Sequence, residues 1–195
     1  MVLSLIRNIS WAPFAMNRKH KSPPKVFCVA YVAGSIDGRI SESNRSKMHW
    51  TSKEDRNFFQ KSLGKFDAVV TGHNTYRMAE TRLKKRNTIV FTSKVNKPRL
   101  SGSVVFFNPR KSDFIKFIKN QNYKKLAILG GPKVYNFFLK NKILHELFVT
   151  IEPYVFTTGV PMFAGDKFKK YKFCLKSVKR LNKKGTLLLH YQYAN

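Results

Sequence analysis

Leu126-Ala127-Ile128-Leu129-Gly130-Gly131-Pro132-Lys133-Val134-Tyr135 is the segment whose reading decides the fold. Four consecutive apolar residues run into a glycine pair, and the residues after it place Val134, Phe137 and Phe138 at helical spacing. An apolar run bounded by glycine reads as a buried strand. Pro132 suits a first helical position, where its missing N–H is no loss. The unit is therefore strand, tight turn, helix, and it recurs along the chain. Val26 to Ala33 is a continuous apolar run of strand length, and Ser52 to Leu63 carries Phe58, Phe59 and Leu63 on one helical side. Ala68 to Thr71, Thr88 to Thr92 and Val104 to Phe107 read as short strands, and Asp113 starts a helix bearing Phe114, Phe117 and Ile118. Leu147 to Ile151 is a further strand. Tyr171 to Leu181 and Thr186 to Tyr193 flank the turn Asn182-Lys183-Lys184-Gly185, which predicts an antiparallel hairpin. Alternation of this kind predicts an α/β domain on one mixed, mostly parallel sheet.

The 195 residues fit one domain, placed at residues 25–195, with no internal repeat. Residues 1–24 contain Arg7, Arg18, Lys19 and Lys21, no acid, and end at Ser22-Pro23-Pro24. They read as a basic extension or as an organelle-targeting segment, and their removal is expected to leave the domain intact. Aromatic residues make up 14% of the chain, enough for a packed core despite a net charge of +28. No run reaches the roughly 18 apolar residues of a spanning helix, so no membrane partner is expected. Two cysteines, Cys28 and Cys174, are too few for a disulfide scaffold and predict two buried thiols in a reducing, cytoplasmic setting. The excess of lysine is scattered, which favours a solvated surface over a dedicated nucleic-acid face, although nucleic acid stays open as a partner. No histidine or cysteine spacing suggests a metal site.

Four stretches exceed what a scaffold needs. Ser35-Ile36-Asp37-Gly38-Arg39-Ile40 follows the first strand, at the sheet edge where open α/β sheets bind ligands. Trp50-Thr51-Ser52-Lys53-Glu54-Asp55 leads into a helix on which Asp55 and Phe59 lie four residues apart. That spacing puts a carboxylate and an aromatic ring on one face, a pairing suited to a flat ligand with amide-like or guanidine-like donors. Thr51 or Ser52 caps the same helix. Thr71-Gly72-His73-Asn74-Thr75-Tyr76 and the Gly130-Gly131 turn both put glycine at a helix N-terminus able to hold phosphate, with Ser93 and Lys94 after a third strand. Neither is a GxGxxG loop.

Taken in order, these stretches resemble the dihydrofolate reductase superfamily, from about Lys25 to the end of the chain. Met48-His49-Trp50, Asp55 and Phe59 are similar to the folate enzymes' Met-x-Trp, acidic residue and Phe. Leu83 and Arg86 precede the strand at Thr88 as that branch's Leu and arginine do. Gly72, Thr75 and Tyr76 are similar to its Gly-Arg-x-Thr-aromatic motif, and Gly130, Gly131 and Tyr135 to its cofactor turn. The riboflavin-type reductases are resembled through Ser35 to Ile40, Gly130-Gly131-Pro132, Thr150-Ile151-Glu152-Pro153 and Gly159-Val160-Pro161-Met162-Phe163, without the Asp-x-Pro segment usual after their Gly-x-x-Thr motif. His73 stands where the folate branch keeps an arginine for the NADPH 2′-phosphate, so cofactor choice turns on Lys94. His49 replaces a usual proline.

The resemblance implies NADPH-dependent hydride transfer to a pterin or aminopyrimidine, most directly dihydrofolate to tetrahydrofolate. The alternative is the riboflavin-pathway 5-amino-6-(5-phosphoribosylamino)uracil. A catalytically silent RNA-binding protein on the same fold is a third reading. Asp55 would bind the substrate's amino and ring N–H groups, supported by Trp50 and Thr150. Phe59, Leu83, Ala33 and Arg86 would hold the rest of the substrate. Gly72, His73, Thr75, Ser93, Lys94, Gly130, Gly131, Lys133, Tyr135 and Asp37 would surround NADPH. Monomers are usual in the folate branch and homodimers in the riboflavin branch.

Overall fold

The first strand, β1 (Phe27–Gly34), is apolar on both faces, and so are β3 (Ala68–Gly72), β4 (Thr88–Phe91) and β7 (Lys125–Ile128). Strands with two apolar faces need cover on both sides of the sheet. The computed structural model, which describes residues 26–43 and 50–194, supplies that cover with helices on each face. Residues 1–24, Met48 and His49 lie outside the described residues.

The element order is β1, β2 (Arg39–Ser41), α1 (Lys53–Leu63), β3, α2 (His73–Leu83), β4, β5 (Arg99–Ser101), β6 (Val104–Phe107), α3 (Phe114–Asn120), β7, α4 (Pro132–Lys140), β8 (Glu146–Ile151), β9 (Val160–Pro161), β10 (Phe173–Arg180) and β11 (Leu187–Tyr193). Among the described residues, nine strands form one sheet in the order β10-β11-β8-β1-β7-β3-β4-β6-β5, and β2 pairs with β9 apart from it. Pairing is parallel from β8 through β6 and antiparallel at both margins. The C-terminal hairpin β10–β11 is antiparallel as expected.

Alternation along each strand splits the core in two. Val70 and Ile89 point to a cluster under α3 and α4, with Phe107, Phe114, Ile118 and Phe138. Their neighbours Val69 and Val90 point the other way, to Leu63 of α1 and Tyr76 and Leu83 of α2. Phe91 sits within ring-contact distance of Phe107, Phe114, Phe137 and Phe138. Ile118 is fully buried there. Ile118→Val should cost about 1 kcal/mol and lower the melting temperature by roughly 2–4 °C, with ligand binding unchanged, as thermal unfolding with and without ligand would read.

One expectation is corrected. Cys28 is buried, and desolvation pushes its thiol up to about 12. Cys174, however, is exposed. It lies on β10, the outermost strand of the sheet, which is uncovered along nearly its whole length.

Candidate functional site

β7 lies between β1 and β3, although β3 follows β1 in the chain. The carboxyl ends of such strands are where an open α/β sheet leaves a crevice. A cleft of about 840 Å³ opens there, walled by β1, α1, α2, the start of α4 and β8.

Asp55 is on its floor. Ser52 caps α1, its hydroxyl accepting the Asp55 N–H at 3.2 Å, so Asp55 is held in the first turn with its carboxylate against β8. The residue is 8% exposed. Burial raises its pKa above the ordinary carboxylate value; a hydrogen bond from the Thr150 hydroxyl opposes that, the Glu152 charge adds to it, and Arg56 and the Thr51 hydroxyl oppose it. The structure thus brings Thr150 and Asp55 together. Trp50 lines a neighbouring cavity of about 460 Å³ instead, packed edge-on against Tyr154 and Phe156. Its Nε1 is buried with no protein partner.

Phe59, Leu83, Ala33 and Arg86 all line the Asp55 cleft. Phe59 and Phe58 meet Tyr31, which stacks on Phe148 at 5.2 Å, so the walls beside Asp55 are aromatic. Arg86 donates to the Leu63 carbonyl at 3.2 Å, which fixes the guanidinium while leaving other donors for a ligand. Helix α2 departs from helical geometry at Ala79 (φ −121°, ψ 18°), and Thr81, Arg82 and Leu83 beyond that point line the cleft.

The glycine turns meet at the other side of the cleft. Gly72 caps α2 and Gly131 caps α4, and neither helix has a side-chain cap. The N–H groups that open α2 are therefore offered to whatever lies between the two helix starts, whereas α4 begins with Pro132, which has none, and its Val134 N–H donates to the Gly131 carbonyl at 2.8 Å, so the Lys133 N–H is its contribution. The Gly72 N–H donates to the Gly130 carbonyl at 2.7 Å, and the Thr71 hydroxyl donates to the same oxygen at 3.1 Å. A Cβ at Gly131 would lie 3.7 Å from the Thr75 hydroxyl, and one at Gly130 would meet the Tyr135 ring at 2.6 Å. Gly72, Thr75, Gly130, Gly131 and Tyr135 thus form one cradle. The Gly130-Gly131 peptide is cis. The Tyr135 hydroxyl donates to the Tyr31 carbonyl at 2.5 Å.

His73 opens α2 with its Nδ1 buried and unpartnered. Burial, then Lys94 and Arg77, hold its pKa below the usual imidazole value. An uncapped helix pair, an orphaned imidazole nitrogen and two nearby cations fit the phosphates of a dinucleotide. Ser93, Lys94 and Lys133 are exposed and are not part of the cleft lining. Asp37 is spent elsewhere. Its carboxylate accepts from the Ser35 hydroxyl at 2.6 Å and from the Phe156 and Thr157 N–H groups at 3.0 Å each, and the first two of these lead in holding its pKa down. It ties the loop after β1 to the loop after β8 and does not line the cleft.

Arg82, Tyr31 and Phe148 line the cleft without having been singled out in the sequence, and Arg56 and Phe58, read there only as part of the helix that bears Asp55, line it too. Glu152 was quoted only within a motif, yet it sits two residues beyond Thr150, and on a strand i and i+2 share a face. Among the described residues no group of His, Cys, Asp and Glu could hold a metal, and no helix is long and apolar enough to cross a membrane.

The dihydrofolate reductase family profile matches residues 29–192. An uncharacterized Bacillus subtilis protein, YwjB, is 26% identical over 171 residues, covering 84% of this chain and 95% of its own. A protein from Shewanella sp. PV-4, provisionally assigned to riboflavin biosynthesis, superposes with TM-score 0.69 at 18% identity, covering 87% of this chain and all of that one. Enterococcus faecalis dihydrofolate reductase, solved in complex with NADP(H) and RAB-propyl, superposes with TM-score 0.62 at 20% identity, covering 88% of this chain and 98% of that one. At those identities the two structures speak to the fold.

Proposed function

The chain belongs to the dihydrofolate reductase family, and from that membership we propose that it is an NADPH-dependent oxidoreductase whose favoured substrate is dihydrofolate, reduced to tetrahydrofolate. The observation that carries this reading is the convergence of Asp55, Phe59, Leu83 and Arg86 on one cleft. A carboxylate accepts paired hydrogen bonds from the amino and ring N–H groups of a pterin, and a guanidinium matches a carboxylate tail. The domain carrying the activity is residues 25–195.

NADPH supplies the hydride when bound, and the chain's own task is positioning and electrostatics. The uncapped start of α2 and the Lys133 N–H of α4 would hold the cofactor's phosphates, with His73 and Lys94 beside them. Asp55 orients the substrate ring and favours protonation of the nitrogen next to the carbon being reduced. Thr150 orients Asp55. Tyr31, Phe58, Phe59 and Phe148 exclude water around the ring, which strengthens the Asp55 interactions. Arg86 anchors the tail.

A second substrate reading, 5-amino-6-(5-phosphoribosylamino)uracil, is favoured by one observation: Arg56, Arg82 and Arg86 all line the cleft, which suits a phosphate. Loss of reduced-nicotinamide absorbance with each compound separates the two. Oxidation with dihydrofolate alone supports the folate reading, and oxidation with the aminopyrimidine alone replaces it. Arg86→Leu sharpens the choice. Loss of a charge-assisted bond of about 1.5–3 kcal/mol should raise the KM for dihydrofolate by roughly 10–10²-fold, with the KM for NADPH unmoved. An unchanged dihydrofolate KM would remove Arg86 from the site.

A further inference from the structure

Glu152 is a buried carboxylate that the reaction does not use directly. It is 2% exposed, at the end of β8, and its own N–H donates to the Gly34 carbonyl at 2.9 Å. One oxygen accepts the Ser52 N–H at 2.6 Å and the other accepts the Thr186 hydroxyl at 2.7 Å. Ser52 is the cap of α1, and Thr186 belongs to the C-terminal hairpin turn. That turn is itself cross-braced. The Asn182 side-chain oxygen accepts the Lys184 and Thr186 N–H groups, while its amide nitrogen donates to the Thr186 hydroxyl at 2.9 Å and to Glu54 at 3.3 Å.

The chain of contacts runs from the hairpin turn through Glu152 into the first turn of the helix that bears Asp55. A buried carboxylate with both oxygens bonded is costly to disturb, because its loss leaves the opposing donors unpaired. A capped helix start is also the point where a rigid-body shift of the first turn would begin. We propose that Glu152 is a positioning residue, fixing the start of α1 and therefore the Asp55 carboxylate, so that the C-terminal hairpin turn is part of the active-site framework. This rests on the reading of Asp55 as the substrate-binding carboxylate.

The groups that face Asp55 are Thr150 of β8, Glu152 just past the end of that strand, and Thr51 and Arg56 from the α1 region, and the Glu152 charge raises the proton affinity of Asp55. Two consequences separate positioning from bulk stability. Glu152→Gln keeps the shape and an oxygen for the Ser52 N–H but removes the charge; Asp55 should then titrate at lower pH with kcat largely retained. Glu152→Ala removes the tie; kcat should fall by roughly tenfold, below the ~10² that a full ångström of misplacement brings, with the KM for NADPH unchanged. The retained rate of the Gln variant against the Ala variant is the rescue a merely structural role would not require.

The experiment uses the full chain with 13C-labelled aspartate carboxyls, the Asp55 resonance being identified by its loss in Asp55→Asn, alongside steady-state kinetics and thermal unfolding. A folded Glu152→Ala with wild-type kcat, together with an unmoved Asp55 titration in Glu152→Gln, overturns the proposal. If the Ala variant does not fold, Thr186→Val takes its place: a several-fold loss of kcat supports the tie, and wild-type kcat overturns it. If the wild-type chain reduces neither substrate, the functional reading fails by itself, and the Asp55 titration in Glu152→Ala set against that in Glu152→Gln still decides the positioning claim, because both lose the charge and the first alone loses the tie: different titrations support it and identical ones overturn it.

Discussion

Asp55→Asn is expected to lower turnover by about 10²–10³-fold, the range seen when one preorganised group of a transition state is removed, while making the protein more stable at neutral pH. Both halves follow from the same environment. Asp55 is the carboxylate of the cleft among the described residues, so nothing else there supplies negative charge to a substrate's paired N–H donors. Asparagine fills the same volume and its oxygen still accepts from Thr150 or Thr51, so the fold has no reason to fail. The sign of the stability change comes from linkage. Burial leads the causes that raise the Asp55 pKa, so the folded state disfavours its ionised form relative to the unfolded chain. Stability tied to a raised carboxyl pKa is fully present below the unfolded value and is lost as pH rises through the folded one. The melting-temperature gain of Asp55→Asn should therefore be present near pH 7 and close as the solution is acidified through the Asp55 titration. Kinetics at saturating cofactor and thermal unfolding across pH check the two halves separately. Unchanged turnover would end the assignment of Asp55; a stability gain that persists in acid would end the burial account.

Much of the fold was legible because its strands obey simple patterns. The apolar runs at Val26, Ala68, Thr88, Val104 and Leu126 lie in strands covered on both faces, and continuous runs are what such strands require. β6 matched residue for residue, and the others moved by one or two positions at their ends, where hydrogen bonding and side-chain pattern part company. What escaped was short and marginal. β2, β5 and β9 span three, three and two residues, too few for periodicity to show. Cys174 escaped for another reason: an alternating segment predicts a half-covered strand, but β10 is an edge with solvent on nearly all of it.

The site was legible where chemistry coincides with local spacing. Asp55 and Phe59 share a helix face, and the glycines at 72 and 130–131 mark turns that the structure joins through the Gly72 N–H. Contributions set by tertiary contact were not. Arg82 reaches the cleft past an irregularity at Ala79 that no residue type announces. Tyr31 is a strand residue like its neighbours until Phe58, Phe59 and Phe148 close on it. Asp37 illustrates the converse, since its loop does sit at the sheet's ligand edge, but its carboxylate is consumed by Ser35 and the backbone of Phe156 and Thr157.

Gly130→Ala should weaken NADPH binding by about 10² or more, whereas Gly38→Ala, at a similar backbone angle, should barely affect it. Both glycines have positive φ, +83° and +75°, so each alanine carries a left-handed penalty of roughly 1–2 kcal/mol. At Gly38 nothing lies within 4 Å of the added carbon, and the penalty stands alone. At Gly130 the carbon would lie 2.6 Å from two Tyr135 ring atoms and 2.7 Å from its hydroxyl oxygen. Tyr135 is 2% exposed, and its hydroxyl is anchored on the Tyr31 carbonyl at 2.5 Å. The ring has nowhere to go, so the glycine turn must move, adding about 1–3 kcal/mol of overpacking. That turn holds the α4 N-terminus against Gly72 and the α2 N-terminus, and the cradle depends on the two helix starts staying in register. If about 3 kcal/mol of the strain falls on the cofactor-bound state, at 1.4 kcal/mol per tenfold the affinity drops by roughly two orders of magnitude. NADPH fluorescence titration of both variants, with thermal unfolding to confirm that each is folded, provides the comparison. Equal affinity in the two would show that the phosphates are held away from the glycine pair and leave the uncapped α2 and α4 starts without a ligand.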